Sequence, residues 1–258
     1  EDQPHVRIFY PFNYEGLHAR SWDLVIIEGW FEMINSFIHE VRAISHPLPV
    51  TVLFYCLDPE YPGLPHVAAL DVEGFLTNSE STRQYLRQSA PTALVPLAVD
   101  TEAFPFYPNP PRPEDVFVGR WDRTSHGRVV YVGSATLMEH KEMLPWMLRE
   151  AAPFGLDIYG NGWQDFPEFS EYWRGVLPQE DLAFVYGSAL AVVGVTTDAQ
   201  RESGKINNRV YEALSVGAPL ISDHFPALEV TFGDALLYAR RRGDVTRHIE
   251  SLLHSQQA

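Results

Sequence analysis

The amino-acid sequence predicts an α/β protein with parallel sheets in two domains, and three observations lead there. Strand-like and helix-like segments alternate along most of the chain. Several strand-like runs are continuously apolar, as buried strands are. A proline-rich stretch separates two such alternations. The 258 residues, 45% hydrophobic and 21% charged, can bury a sizeable core and exclude a disordered, collagenous or coiled-coil chain.

Val6–Tyr10 reads as a short strand, and Trp22–Glu28 is an apolar run ending in an acid. Phe31–Ile44 has helical periodicity, with Ile34, Phe37, Ile38 and Val41 on one stripe. Val50–Leu57 is β-branched and aromatic, a strand stopped by Asp58-Pro59. Gly74–Thr77 is a strand, Ser79–Gln88 a helix capped by Asn78 or Ser79, and Ala93–Pro96 a last strand. Phe104–Asp115 then carries prolines at 105, 108, 110, 111 and 113, a composition that suits a stiff linker. The domain boundary is accordingly expected near residue 110, giving domains 1–110 and 111–258.

The second half restarts with strands at Arg128–Val132, Leu156–Tyr159, Leu190–Val195 and Pro219–Ser222. Helices are expected at Met138–Glu150, Asp181–Tyr186, Asn207–Val216 and Val245–His254.

Charge and cysteine content narrow the function classes. Against 34 acidic residues stand only 19 basic ones, a net charge of -15, which disfavours a general nucleic-acid or anionic-membrane binder. The lone Cys56 excludes a disulfide scaffold and a cysteine-built zinc site, and suits a reducing, cytoplasmic location. The ten histidines form no metal-ligand spacing on a predicted helix, so no metal site is expected. The longest apolar run, near Leu182–Val195, is too short to span a bilayer, and the N-terminal residues do not read as a signal peptide.

In parallel sheets, ligands bind beyond the carboxyl ends of the strands. Three such ends in the second half carry glycine: Val132-Gly133-Ser134, Tyr159-Gly160-Asn161-Gly162, and the Gly204 region beyond Val195. Glycine lets backbone approach a ligand, and amides at a following helix start can hold a phosphate. The sharpest feature is the run Ser203-Gly204-Lys205-Ile206-Asn207-Asn208-Arg209-Val210-Tyr211-Glu212. With a helix starting near Ser203–Asn207, Lys205 and Arg209 lie where the helix dipole favours anions over cations. Their placement calls for an anion, or else reflects a solvated Arg209–Glu212 pair. Asp58 ends a buried strand, where it reads either as a general base or as a turn residue before proline. Trp163 reads either as a stacking platform for a sugar or base or as a core aromatic.

These residues carry a resemblance. The order Val130-Tyr131-Val132-Gly133, Ile158-Tyr159-Gly160-Asn161-Gly162-Trp163, Arg174-Gly175-Val176, Asn207-Asn208-Arg209-Val210-Tyr211-Glu212-Ala213-Leu214 and Ser222-Asp223 resembles the GT-B glycosyltransferases. Within them it is similar to the CgeB-like (spore-protein) branch of the group 1/family 4-like enzymes, whose Asn-x-Arg-x-aromatic-Glu run is complete here. The resemblance covers residues 126–255 and reaches the first half more loosely.

It implies two Rossmann-like domains facing across a cleft, the N-terminal one shortened. It also implies metal-independent transfer of a sugar, with a UDP-sugar as the expected donor and an unidentified acceptor (glycan, protein or small molecule). Glu212 is then expected at the ribose hydroxyls. The loop Ser203–Asn208 with Lys205, Asn207 and Arg209 is expected at the diphosphate, and Gly175-Val176 at the base. Wider relatives carry a second glutamate where Gly204 stands, so the sugar-contacting carboxylate is missing here. The alternatives are a non-catalytic nucleotide-sugar or glycan-binding module, or subunit of a larger assembly, and a sugar-nucleotide epimerase.

Overall fold

The computed structural model describes residues 22–45, 49–57, 63–109, 128–135 and 143–257. The expected strand Val6–Tyr10 and the candidate base Asp58 lie outside these residues. The chain divides into two compact units, Glu1–Pro96 and Leu97–Ala258. This boundary falls before the proline-rich stretch because Phe104 and Tyr107 join an apolar cluster of the second unit. Tyr107 N also donates to Val216 O at 3.2 Å.

The first unit is a four-stranded parallel sheet in the order β1-β2-β3-β4, formed by Leu24–Glu28 (β1), Thr51–Cys56 (β2), Gly74–Thr77 (β3) and Thr92–Leu94 (β4). Helix α1 (Ile34–Ser45) buries Ile34, Ile38 and Val41, the apolar stripe of its 3.6-residue period. Helix α2 (Leu64–Ala68) is a single short turn, and α3 (Glu80–Leu86) is capped by Ser79, whose hydroxyl accepts from Thr82 N at 3.3 Å. Val52, Phe54 and Cys56 of β2 point with Phe75 into this core.

In the second unit five parallel strands run in the order β6-β5-β7-β8-β9. They are Val129–Val132 (β5), Leu156–Tyr159 (β6), Ala191–Gly194 (β7), Leu220–Asp223 (β8) and Leu237–Ala239 (β9). Every residue of β6, β7 and β8 is buried, which suits the mainly apolar runs of β6 and β7, while β8 ends in the buried polar pair Ser222-Asp223. Asp157 is the exception in β6; its buried carboxylate is compensated by Arg174 at 2.8 Å and Arg128 at 3.1 Å. The connecting helices are α4 (Met143–Ala151), α5 (Leu182–Ser188), α6 (Asp198–Ser203), α7 (Asn208–Ser215), α8 (Pro226–Phe232) and α9 (Asp244–Gln257).

Because β6 and β7 flank β5 on opposite sides, the winding reverses beside β5. Doubly wound sheets of this order bind ligands at that point, beyond the carboxyl ends of the first and third strands, here β5 and β7. The pairing of β5 with β7 covers only Val129↔Ala191 and Val130↔Val192, whereas β5 pairs with β6 over four residues. The two strands therefore part before their carboxyl ends.

Candidate functional site

The end of β5 is held by tryptophan. Gly133 N donates to Tyr159 O at 2.9 Å, and the Trp163 indole donates to Gly133 O at 2.8 Å. Ala135 N reaches Asn161 O at 2.8 Å, so the Gly133-Ser134 turn is tied to Tyr159, Asn161 and Trp163. Trp163 is fully buried and packs edge-on against Tyr131 and Phe169. The stacking role open to it from sequence is therefore corrected: this is a core residue that sets the Gly133 turn. Tyr159 is likewise buried and contributes its backbone. Gly162 opens the short turn that carries Trp163. Gly160 has φ 136°, and a Cβ there would collide with the Gly133 carbonyl. Its N–H donates to Gly175 O at 2.9 Å, and Trp173 donates to Gly160 O at 2.8 Å. Beyond that pair, Gly175 faces open space and Val176 is 62% exposed, an unusual position for a valine.

Beyond β7, Asp223 at the end of β8 organises the backbone. This wholly buried carboxylate accepts from Thr196 N at 2.9 Å and pairs with Arg201 at 2.5 Å. Burial raises its pKa, against the pull of Arg201. Thr197 then starts α6 with a reciprocal capping box to Gln200. Ser203 and Gly204 end α6, so the next helix starts at the Asn207 end of the expected range. Lys205 follows, only 5% exposed. Asn207 is the N-cap of α7 but makes no capping bond, and its Oδ1 is buried without a partner. Asn208 is exposed at the first position of α7.

Arg209 points down, into the gap where β5 and β7 part. Its Nη2 donates to Val132 O at 2.6 Å and its Nη1, more weakly, to Val195 O at 3.5 Å. The guanidinium carbon stands 5.2 Å from the centre of the Tyr131 ring. The Tyr186 hydroxyl lies against the same group and is pushed up to about 12 by burial. Arg209 was expected at the diphosphate; its fork is occupied by main-chain oxygens.

Glu212, one turn along α7, is half-buried and makes no side-chain hydrogen bond or ion pair with the described residues. Burial raises its pKa above the ordinary glutamate value, opposed by the charge of Arg209. The expected Arg209–Glu212 surface pair is thus absent among the described residues. The hydroxyl of Tyr131 is buried without a partner. Such orphaned groups are uncommon, and a bound ligand is one way to complete them. Sequence reasoning gave no site role to Tyr131, quoted only within its strand and motif run, to Tyr186, read only as part of a helix, or to Thr196, just beyond the expected strand Leu190–Val195.

In the first unit, Asn78 follows the carboxyl end of β3, and both polar atoms of its side chain are buried without a partner. His66, on α2, is exposed. Among the described residues, no group of three or more His, Cys, Asp or Glu could hold a metal ion, and no helix is long and apolar enough to cross a membrane.

Two parallel-sheet units, the second doubly wound with polar groups gathered at its strand ends, fit the GT-B class of fold. The comparisons agree. Residues 139–258 match the family model described as glycosyl transferase-like. Sucrose-phosphate synthase from Thermosynechococcus elongatus superposes with a TM-score of 0.62 at 15% identity, over 95% of this chain and 68% of that one. Anabaena HepE in complex with UDP and glucose gives 0.58 at 11% identity, over 94% and 71%. The T4 phage BGT in complex with its UDP-glucose substrate gives 0.51 at 13%, over 93% and 74%. No curated protein matches the sequence. At such identities the likeness establishes the GT-B fold.

Proposed function

We propose that the protein is a glycosyltransferase that binds a UDP-sugar in its second unit and transfers the sugar to an acceptor taken up by its first. The observation that carries this reading is Glu212: a half-buried carboxylate without a hydrogen bond from the described residues, at the ligand-binding end of a doubly wound sheet. A half-buried carboxylate is partly stripped of water, and a pair of ribose hydroxyls would give both of its oxygens a partner. HepE and T4 phage BGT, of the same fold, hold UDP or UDP-glucose, which supports uridine as the base. Gly175-Val176 offers an open backbone and an exposed apolar side chain for that base. Lys205, the Gly133-Ser134 turn and the first turn of α7 would hold the diphosphate as the glycosidic bond breaks and negative charge grows on it. With Gly204 in place of a carboxylate, the sugar would meet neutral groups, Asn207 Oδ1 and Thr196 Oγ1 among them. On the acceptor side, Asn78 offers a donor and an acceptor to a hydroxyl, and Asp58 remains the candidate base. The Asn-x-Arg-x-aromatic-Glu run supports placement in the CgeB-like branch.

The test is calorimetric titration with UDP, followed by incubation with UDP-sugars and a panel of hydroxyl acceptors. UDP should bind, and UDP release should depend on acceptor. Binding of neither UDP nor another nucleoside diphosphate would refute the reading. Binding without acceptor-dependent release would leave a nucleotide-sugar-binding module.

A further inference from the structure

Arg209 occupies a position that the donor reading alone does not explain. A guanidinium has five N–H donors in a planar fork, and phosphate-binding arginines turn that fork to the ligand. Here the fork faces the other way. The ladder between β5 and β7 stops at Val130↔Val192, so the carbonyls beyond it have lost their partners across the gap. Arg209 fills that gap: Nη2 takes Val132 O at 2.6 Å and Nη1 takes Val195 O at 3.5 Å. Tyr131 lies 5.2 Å beneath the guanidinium carbon, and Nε is buried with no partner. The residues after the two bonded carbonyls are Gly133 and Thr196, which open the two loops at the winding reversal.

We propose that Arg209 is a positioning residue, a clamp across the parted ends of β5 and β7 that sets the Gly133 and Thr196 backbones for the donor without touching its phosphates. This role rests on the donor reading above. It departs from a phosphate-contacting arginine in one respect that can be measured: geometry matters and charge alone does not suffice. A lysine keeps the charge but presents a point donor that cannot fork across two carbonyls.

The experiment compares Arg209→Lys and Arg209→Met with the parent, by calorimetry with UDP and by backbone amide exchange without ligand. Both variants should bind UDP at least about tenfold more weakly, with similar losses, because small misplacements of positioning groups are costly. Amides of Gly133 and Thr196 should exchange faster in both before UDP is added. Near-parental affinity in Arg209→Lys, with parental exchange, would overturn the clamp in favour of a charge contact. Faster exchange with parental UDP affinity in both variants would overturn it in favour of a purely structural role. Should neither variant fold, exchange of the Arg209 Nη protons in the parent decides. The clamp predicts slow exchange that saturating UDP leaves unchanged, and a transfer of the fork to phosphate predicts further slowing. A parent that binds no UDP overturns the donor reading and this role together, and does so before any variant is made.

Discussion

At the scale of single residues, Glu212 and Arg209 divide two jobs that the sequence assigned to one helix face. The spacing of Arg209 and Glu212 suggests an anion site or else a mutual ion pair, yet the fold sends the guanidinium to main-chain oxygens and leaves the carboxylate without a hydrogen bond from the described residues. Side-chain direction was not legible because it depends on where β5 and β7 part, a tertiary fact. The state of Glu212 has a pH consequence. Its folded pKa is raised by burial, so the folded state favours the protonated acid, and the associated stability is present at low pH and lost as pH rises through the folded value. Glu212→Gln should therefore raise the unfolding temperature at neutral pH, with the advantage vanishing below the ordinary glutamate range. Ribose hydroxyls favour the ionised carboxylate, so binding works in the opposite direction. Uridine, which carries no titrating phosphate, should bind the parent more weakly as pH falls through the raised value, and the Gln variant should show no such step. Thermal unfolding and uridine titrations across that range check both signs.

Among the elements, most strands and helices were legible and a few were not. Gly74–Thr77 and Leu156–Tyr159 match the expected strands residue for residue. Helix α6 was missed although Thr197-x-x-Gln200 is a readable capping box, and α8 although Pro226 stands at its start. Strand β9 has three residues, too few for a period to show. The strand-end glycines were found, but what they do was not. Gly160 and Gly175 both have positive φ, 136° and 91°, and only Gly160 is also crowded by backbone. Gly175→Ala should cost only its backbone strain, about 1 kcal/mol. Gly160→Ala must in addition push the Gly133 carbonyl aside, and should cost about 3 kcal/mol or more. Urea unfolding midpoints rank the two; equal midpoints would remove the tight packing of these turns from the account.

For the whole molecule, composition and alternation announced two parallel α/β halves, and the structure has them. The division fell earlier than the prolines suggested because Phe104 and Tyr107 are anchored in the second unit, a long-range contact that local composition does not encode. The site was legible as a cluster of residues, Gly133 through Glu212, and illegible as an arrangement. Trp163 reads either as a ligand platform or as a core aromatic, and it is the latter, a buried support. Asn207, singled out by its motif, and Tyr131, which no spacing rule singles out as a site residue, both carry orphaned groups. The central claim remains that Glu212 receives the ribose of a uridine nucleotide in the second unit. Its most direct test is a thermodynamic cycle by calorimetry, with UDP and 2′,3′-dideoxy-UDP titrated into the parent and into Glu212→Ala. The account predicts that removing the hydroxyls costs the parent about 1.5–3 kcal/mol, the worth of a hydrogen bond to a charged group, and costs Glu212→Ala almost nothing. Equal binding of the two nucleotides by the parent, or losses that simply add in the variant, would contradict it.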